Sequence, residues 1–303
     1  MSDAPVAMTV APAPPAAAPR SGATRPGILR RLSRNASAVV GGSLVLLLVL
    51  AAVLAPLSPY PPDLVDPTAV GQGPSAAHPF GTDPLGRDLL SRILHGARVS
   101  LLAGAVAVAL SAAVGIPLGA VAGYAQSRLV RAAILRVVDA LQAFPFLILA
   151  LAAAAVLGPG TINAAVAIGI AFVPHFVRIA RAQVLGQLGM EYVGAARVLR
   201  LSGTRIVVRH ILPNAISPLL VQASLAFGVA IVTEAGLSFL GLGTQPPTPS
   251  WGAELRAAQG YLLSDINYAF WPGAAISLAV LGFNLLGDGL RDALDPRHRS
   301  ARG

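Results

Sequence analysis

Long apolar segments alternate along the chain with shorter stretches that are rich in arginine, proline and glycine. An α-helix rises about 1.5 Å per residue, so about 20 apolar residues cross the roughly 30 Å hydrocarbon core of a bilayer. Six segments approach or exceed that length, and each is predicted to form a membrane-spanning helix: residues 37–57, 100–123, 138–158, 161–177, 214–241 and 268–287. The pattern therefore predicts an all-α, polytopic membrane protein.

The remaining segments divide the chain further. Residues 1–36 are rich in alanine and proline and carry five arginines, which favours a disordered basic tail. The first apolar run has the length of a signal-peptide core, but the long tail before it and the spans after it favour an uncleaved helix. Residues 58–99 form a polar external segment, 100–287 a transmembrane core with a polar loop at 178–212, and 288–303 a polar C-terminus.

The distribution of arginine predicts the orientation in the membrane. The tail, the 124–137 segment, the 178–212 loop and the C-terminus together carry 18 of the 22 basic residues, and the opposite side carries four. Because basic residues concentrate on the cytoplasmic side of bacterial membrane proteins, both termini and the 178–212 loop are predicted to be cytoplasmic. This placement accounts for the net charge of +9 without a nucleic-acid partner.

Two missing residue types exclude several kinds of chemistry. The chain has no cysteine, so it has no disulfide, thiolate metal site or cysteine nucleophile, and its basic residues are all arginine. Without lysine the chain cannot form a Walker A loop or a Schiff base. No catalytic constellation and no metal-ligand spacing of histidines is recognisable, so we predict a non-enzymatic protein without a metal site.

Residues 191–213, EYVGAARVLRLSGTRIVVRHILP, form a basic unit in an otherwise apolar chain. The first half predicts a short helix with Val193 and Ala196 on a small, apolar side and arginines, including Arg197 and Arg200, on the other. The small side would allow close approach to a groove on a partner protein. The alternative is a helix that lies on the anionic inner leaflet, held by its arginines.

Small residues and one acid stand out within the spans. Gly115, Gly119 and Gly123 fall four residues apart on one helix face, which allows close backbone contact either within one subunit or between subunits. Glu234 lies well inside the fifth predicted span. A carboxylate at such a position indicates a role in translocation, but it could also satisfy backbone donors or an arginine of a neighbouring helix.

The segment FGTDPLGRD before the second span predicts a turn that leads into a helix. Asp83 is placed to cap that helix, with Pro84 at its first position. Arg87, Asp88 and Arg92 could pair locally, which is the safer interpretation, or contact an external protein.

Two smaller expectations concern the ends of the spans. Asp139 follows Arg136 by three residues, a spacing that favours a local ion pair on one helix. Trp251 and Trp271 are predicted to lie in an aromatic belt at the outer membrane surface.

Several long segments resemble one protein family, in order along the chain. The sequences HPFGTDPLGRDLLSRILHGARVSL (78–101), LGPGTINAAVAI (157–168), TEAGLSFLGLGTQPPTPSWG (233–252) and LGDGLRDALDPR (286–297) are similar to C-type permease subunits of the dipeptide/oligopeptide/nickel ABC importer family. The resemblance implies the fold of a type I ABC importer permease.

The basic unit resembles the EAA loop of such permeases, which forms a coupling helix that docks on an ATP-hydrolysing subunit. The motif falls on Gly194, Ala195, Ala196 and Arg200, and on the Ile-Leu-Pro ending at Leu212 and Pro213. The chain departs from the motif twice, because Gly194 replaces its glutamate and Arg200 replaces its glycine. Glu191 lies three residues too early to replace that carboxylate, whereas Gly203 could supply a displaced glycine turn.

The resemblance also implies a function. It predicts a non-catalytic subunit in the bacterial inner (plasma) membrane that forms half of the path for di- or oligopeptides. The implied partners are the lipid bilayer, a second, B-type permease subunit, two ABC ATPase subunits and an extracytoplasmic substrate-binding protein. ATP and Mg²⁺ would be used by the ATPases, and this chain would bind no cofactor. Alternatives are import of nickel or another small solute, an ATP-independent secondary transporter, and a purely structural subunit.

Overall fold

The computed structural model describes residues 32–294, and in this range the chain is helical and contains no β-strand. Most of the basic tail (1–31) and most of the C-terminal segment (295–303) lie outside the described residues, together with the predictions made for them. The described part contains ten α-helices: α1 (Ala36–Leu54), α2 (Leu89–Tyr124), α3 (Arg128–Gln142), α4 (Phe146–Leu157), α5 (Thr161–Gln187), α6 (Glu191–Val198), α7 (Gly203–Ile206), α8 (Ile216–Phe239), α9 (Trp251–Ala258) and α10 (Ile266–Leu294).

Five helical stretches of the described chain are long and apolar enough to cross a membrane. They are α1 with its 3₁₀ extension to Leu57, α2, α5, the continuous stretch Gly203–Phe239 that ends in α8, and α10. The pair α3 and α4 adds a sixth candidate if the two helices are counted as one bent span. The prediction of a polytopic, all-helical protein is confirmed, with five or six candidate spans.

The prediction of a single straight span over residues 138–158 is wrong. The chain bends by 93° between α3 and α4. Pro145 disfavours a helical conformation for Phe144 before it and has no N–H to donate, so the helix stops and restarts with Phe146. The apolar run therefore supplies only α4 and the last turn of α3.

Three other boundaries also differ from the prediction. Helix α2 begins at Leu89 rather than at residue 100, because the Asp88 side chain accepts a hydrogen bond from the Ser91 amide at 2.7 Å and caps the helix. Helices α5 and α10 continue past residues 177 and 287, to Gln187 and Leu294. The predicted spans ended before the charged residues Arg178 and Asp288, but a helix continues beyond the apolar stretch when its exposed face can carry charge.

The glycine face of α2 packs against α5 of the same chain. A Cβ atom at Gly115 would lie 2.5 Å from the Cβ of Phe176, and one at Gly123 would lie 2.9 Å from the Cβ of Val184. These contacts leave no room for a side chain. The structure therefore places this face in packing within one subunit, which was one of the two predicted alternatives.

Two apolar clusters hold the bundle together. One joins α2, α4, α5 and α8, and the other joins α1, α2, α8, α9 and α10. Trp251 belongs to the second cluster, where it is 1% exposed and donates its indole N–H to the Ile93 carbonyl at 3.1 Å. The predicted aromatic belt is therefore wrong for Trp251, whose ring serves the core. Trp271 is partly buried and stacks on Phe80.

The helix directions define two ends of the bundle. The Asp88 end contains the start of α2, the 58–88 segment and α9, and the Tyr124 end contains the end of α2 and residues 188–215. Helix α10 starts near Leu89 and runs to the Tyr124 end, where Asp292 accepts a hydrogen bond from the Asn35 side chain at 3.0 Å. Both ends of the described chain therefore lie at the Tyr124 end.

Candidate functional site

Residues 188–215 fold into a compact protrusion at the Tyr124 end, called here the 188–215 unit. It contains α6, α7, one turn of π-helix at Val207–Ile211 and a 3₁₀ turn at Leu212–Ala215. Val193, Ala196, Ile206, Val207 and Ile211 form its buried core, together with Ala120 of α2 and Val184 of α5. Because two helices of the bundle contribute to this core, the unit is packed against the bundle.

The small residues of the predicted coupling helix, α6, lie on two different surfaces: some face the core of the 188–215 unit, and the others face outward. Val193 and Ala196, three residues apart on α6, face the unit's own core, where Ala196 is only 4% exposed. Ala195 is exposed, and Gly194 has open space where a side chain would project. The prediction that Ala196 offers a face to a partner is wrong, because that face is already covered by the chain itself.

The outward surface of the unit is partly apolar. Val198 is 82% exposed and Leu199 is 73% exposed, and they lie three and four residues after Ala195, on the same side of the helix. Apolar side chains this exposed, next to small residues, leave a surface that is more stable when covered.

Arg200 ends α6 in a left-handed backbone conformation, with φ of +55°. The Arg200 amide donates to the Arg197 carbonyl at 2.9 Å, and the Leu201 amide donates to the Ala196 carbonyl at 3.2 Å. These two bonds form a Schellman C-cap, in which glycine is usually the left-handed residue. The turn that the family motif assigns to glycine is thus made here by arginine.

Gly203 does not supply a displaced turn, contrary to the prediction. It is the first residue of α7, and the Ser202 side chain caps that helix by accepting from the Arg205 amide at 3.4 Å. Gly203 is needed for another reason, since a Cβ there would lie 2.7 Å from the ring of Tyr124. Pro213, by contrast, is exposed within the 3₁₀ turn after Leu212.

The charged side chains of the unit have no partners among the described residues. Glu191, Arg197, Arg200, Arg205 and Arg209 are exposed. None of them takes part in a side-chain hydrogen bond or ion pair within residues 32–294. The outward surface therefore combines unpaired positive charge with exposed apolar side chains.

Several charged residues at the Asp88 end are paired instead. The Asp83 side chain accepts hydrogen bonds from the Leu85 and Arg87 amides at 2.8 and 2.9 Å, and its second oxygen lies 2.6 Å from Arg87 Nε. Asp88 lies 2.9 Å from Nδ1 of His78. Asp83 therefore organises a turn rather than capping α2 as predicted, and the cap falls to Asp88.

A buried ion pair links α2 to α9, and sequence reasoning missed it. Arg92 donates from Nε and Nη2 to one Glu254 oxygen at 3.0 and 2.7 Å, and both side chains are at most 4% exposed. Arg92 also donates to the Pro62 carbonyl at 2.7 Å. The spacing of residues along a helix does not predict a contact between residues 162 positions apart. Arg92 thus has a structural role, but through a long-range pair and not through the predicted local pairing. Asp83, Arg87 and Asp88 are largely occupied by contacts with nearby residues of the chain.

Glu234 is fully buried and accepts hydrogen bonds only from hydroxyl groups of the described residues. Ser100 of α2 donates to one carboxylate oxygen at 3.0 Å, and Ser238 and Thr244 donate to the other at 2.7 and 3.4 Å. No arginine of residues 32–294 donates to it. Glu234 therefore ties α2, α8 and the α8–α9 connection together, a third arrangement beside the two predicted ones.

Asp139 pairs across helices and not along its own helix. Its carboxylate lies 2.9 Å from Nη2 of Arg178 on α5. The predicted pair with Arg136 is wrong because the bend after α3 brings α5 within reach. Within residues 32–294, no group of three acidic or histidine side chains is placed to hold a metal ion.

Comparison with known proteins assigns the fold and the family. Residues 115–300 match the family model described as binding-protein-dependent transport system inner membrane component, and residues 27–74 match the N-terminal TM domain of oligopeptide transport permease C. The MetNI methionine ABC transporter, in an inward-facing conformation, contains a chain with the same fold: the TM-score is 0.56 at 17% identity, over 67% of this chain and 96% of that chain.

Relatives from several bacteria match most of the chain. The dipeptide transport system permease protein DppC of Escherichia coli is 47% identical over 87% of this chain and 90% of its own. DppC of Alkalihalophilus pseudofirmus is 43% identical over 89% of both chains. The glutathione transport system permease protein GsiD of Pectobacterium atrosepticum is 44% identical over 89% of this chain and 90% of its own.

The fold is that of an ABC importer permease, a membrane subunit of a transport system. The chain belongs to the family of binding-protein-dependent transport system inner membrane components.

Proposed function

We propose that this chain is the C-type permease subunit of an ATP-driven importer of short peptides in the bacterial inner membrane. The arginine distribution supports an orientation with the Tyr124 end and both termini in the cytoplasm. The E. coli and A. pseudofirmus relatives are dipeptide permeases by name, and the P. atrosepticum relative is a glutathione permease by name. Di- and tripeptides are therefore the favoured substrates, ahead of nickel.

One observation supports the proposal most strongly: the outward surface of α6 has exposed apolar side chains and arginines that have no partner among the described residues. Gly194, Ala195, Val198 and Leu199 form an exposed apolar strip, and Arg197 and Arg200 beside it have no partner among the described residues. An ATPase subunit with an apolar groove and an acidic rim would bury the strip and pair the arginines.

The packing of the 188–215 unit against the bundle supports a mechanical role. Val193 and Ala196 on the inner side of α6 pack against Ala120 of α2 and Val184 of α5. Packed side chains transmit displacement because the interior is dense and resists compression. A movement of the ATPases on ATP binding would thus shift α2 and α5, which contact each other along the glycine face.

The division of labour follows from composition. The chain has no lysine, so hydrolysis of ATP belongs to partner subunits that carry their own phosphate-binding lysine and Mg²⁺. This chain supplies one docking unit and half of the path. A B-type permease subunit supplies the other half, and an extracytoplasmic binding protein delivers the peptide.

The test uses the complete importer in proteoliposomes and measures ATP-dependent uptake of labelled dialanine. We expect Ala195→Glu to reduce uptake at least tenfold, since a negative, bulky side chain would stand in the docking strip while the unit stays folded. Gln126→Glu is the matched control, because Gln126 is an exposed residue at the same end of the bundle but outside the 188–215 unit. The control should transport normally.

Two outcomes contradict the proposal. Normal uptake by Ala195→Glu would show that α6 does not dock on an ATPase through this strip. Uptake by the purified chain alone, driven by an ion gradient without any ATPase, would indicate a secondary transporter.

A further inference from the structure

A cavity of about 340 Å³ opens at the bend between α3 and α4, on the side that faces α5. Gln142 of α3, Phe144 and Phe146 at the bend, and His175 and Arg178 of α5 line it. This volume lies at the lower end of the roughly 300–1,000 Å³ typical of small-molecule pockets. It suits a molecule of the size of a dipeptide.

The polar residues of the cavity come from two helices in matching positions. Gln142 comes from α3, and His175 and Arg178 are one turn apart on α5. Asp139 lies one turn before Gln142 and borders the cavity through its contact with Arg178. The Asp139–Arg178 ion pair joins the two sets at 2.9 Å. His175 and Arg178 lie on the exposed face of α5, near the end of the apolar segment predicted as the fourth span (161–177). A few converging polar groups in an otherwise apolar pocket are typical of a small-molecule site.

Several polar atoms of this cluster are unused. The side-chain oxygen of Gln142 is buried and accepts no hydrogen bond within the described residues. The His175 imidazole makes only ring contacts there, with Phe172 and Phe146 at centroid distances of 5.7 and 6.3 Å. Arg178 has five N–H donors and uses one of them on Asp139.

The unused groups match the chemistry of a short peptide. Arg178 can bind a carboxylate, the free oxygen of Asp139 can bind an ammonium group, and Gln142 and His175 can pair with a peptide amide. Phe144 and Phe146 add apolar surface for a side chain. An isolated anion or cation would leave half of this set unmatched.

We propose that this cavity is a substrate-binding station within the translocation path, where a zwitterionic di- or tripeptide pauses as it crosses the membrane. The inference rests on the proposed function and names a site for it. The headgroup of phosphatidylethanolamine has the same combination of anion and ammonium, so the experiment must separate the two sources.

The first experiment replaces Gln142 by leucine in the complete importer. No hydrogen bond to the side-chain oxygen is lost, so we expect the thermal unfolding temperature to stay the same or to rise. ATP-dependent uptake of labelled dialanine at a subsaturating concentration should fall about tenfold, because the peptide amide loses its partner. Gln126→Leu, at an exposed position outside the cavity, is the control. Normal uptake by Gln142→Leu would overturn the proposal, and so would a loss of uptake that only follows a loss of thermal stability.

The second experiment measures occupancy. The chain has no cysteine, so Leu149→Cys places a unique thiol in the cavity wall, and Leu129→Cys places one on the 82% exposed surface of α3. Maleimide labelling of this chain is followed with and without millimolar dialanine. We expect dialanine to slow labelling at position 149 several-fold and to leave position 129 unchanged.

Each other outcome is informative. A thiol at 149 that dialanine does not protect overturns the proposal. So does one that is blocked without dialanine and released in vesicles that lack phosphatidylethanolamine, which would identify a lipid. A thiol that is blocked in every lipid also overturns the proposal, because the second permease subunit would then fill the cavity. Uptake by the wild-type importer is measured in parallel, so a failure of this site is distinguishable from a failure of the transport assignment.

Discussion

The Asp88 end and the Tyr124 end of the bundle both carry charged side chains, but they use them in opposite ways. At the Asp88 end, Asp83, Asp88 and the buried Arg92 are paired within the chain. In the 188–215 unit, the four arginines and Glu191 are exposed and unpaired within the described residues. Charges satisfied by the chain stabilise its own fold, whereas charges left unsatisfied on a rooted protrusion indicate a partner.

Apolar residues of the two ends show a weaker contrast. Trp251 and Leu89 at the Asp88 end are each 1% exposed, although both lie outside the predicted spans. Val198 and Leu199 of the 188–215 unit are almost fully exposed. The Asp88 end also exposes apolar side chains, such as Leu263 and Ile266, so exposed apolar surface alone does not distinguish the two ends, whereas the cluster of four arginines unpaired within the described residues does.

The largest effect is expected from Arg92→Met at the Asp88 end. Glu254 would remain buried without its partner, a change that typically costs about 3–5 kcal/mol. The importer should unfold at a markedly lower temperature in detergent, measured by tryptophan fluorescence or calorimetry. Arg98→Met is the control, because Arg98 is exposed on the same helix and makes no ion pair among the described residues. Equal stability of the two variants would show that the buried pair is not essential to this end.

A second comparison separates the two sides of α6. Ala196→Glu would force a larger, charged side chain into the core of the 188–215 unit, and overpacking alone typically costs about 1–3 kcal/mol. We expect the unit to open and trypsin to cleave at its arginines faster than in the wild type. Ala195→Glu should keep the trypsin resistance of the wild type while it loses uptake. Similar protease sensitivity of the two variants would contradict the assignment of an inner and an outer side.

The smallest effect is expected at the end of α6. Arg200→Gly removes the strain of a side chain in the left-handed region, worth roughly 1 kcal/mol. Amide hydrogen exchange in residues 191–201 should slow by several-fold. Arg197→Gly, within the right-handed helix, should instead speed exchange, since glycine costs about 1 kcal/mol in a helix interior. Faster exchange in Arg200→Gly would show that the arginine side chain itself stabilises the turn.

The sequence predicted what depends on local pattern. Apolar length located the spans, because a helix in a bilayer must bury its own polar backbone and cover it with apolar side chains. The spacing of Gly115, Gly119 and Gly123 predicted a close helix contact. It did not tell which helix lies there, and α5 of the same chain proved to be the partner.

The predictions failed where the partner or orientation of a side chain depends on contacts between residues far apart in the chain. Spacing along α3 suggested Arg136 as the partner of Asp139, but the bend at Pro145 brings Arg178 closer. The small residues of α6 looked alike in the sequence, and only the packing on α2 and α5 shows that Ala196 faces inward and Ala195 outward. Pairs such as Arg92 with Glu254 leave no trace in local spacing.

By itself, then, the amino-acid sequence determined the helical, membrane-spanning class, the missing phosphate-binding lysine and the position of the basic unit, since each follows from composition or from a period of a few residues. Which charges are buried in pairs, which face of α6 is free and where polar groups gather at the α3–α4 bend were decided by tertiary structure. These features depend on the three-dimensional proximity of residues far apart in the chain, which packing creates.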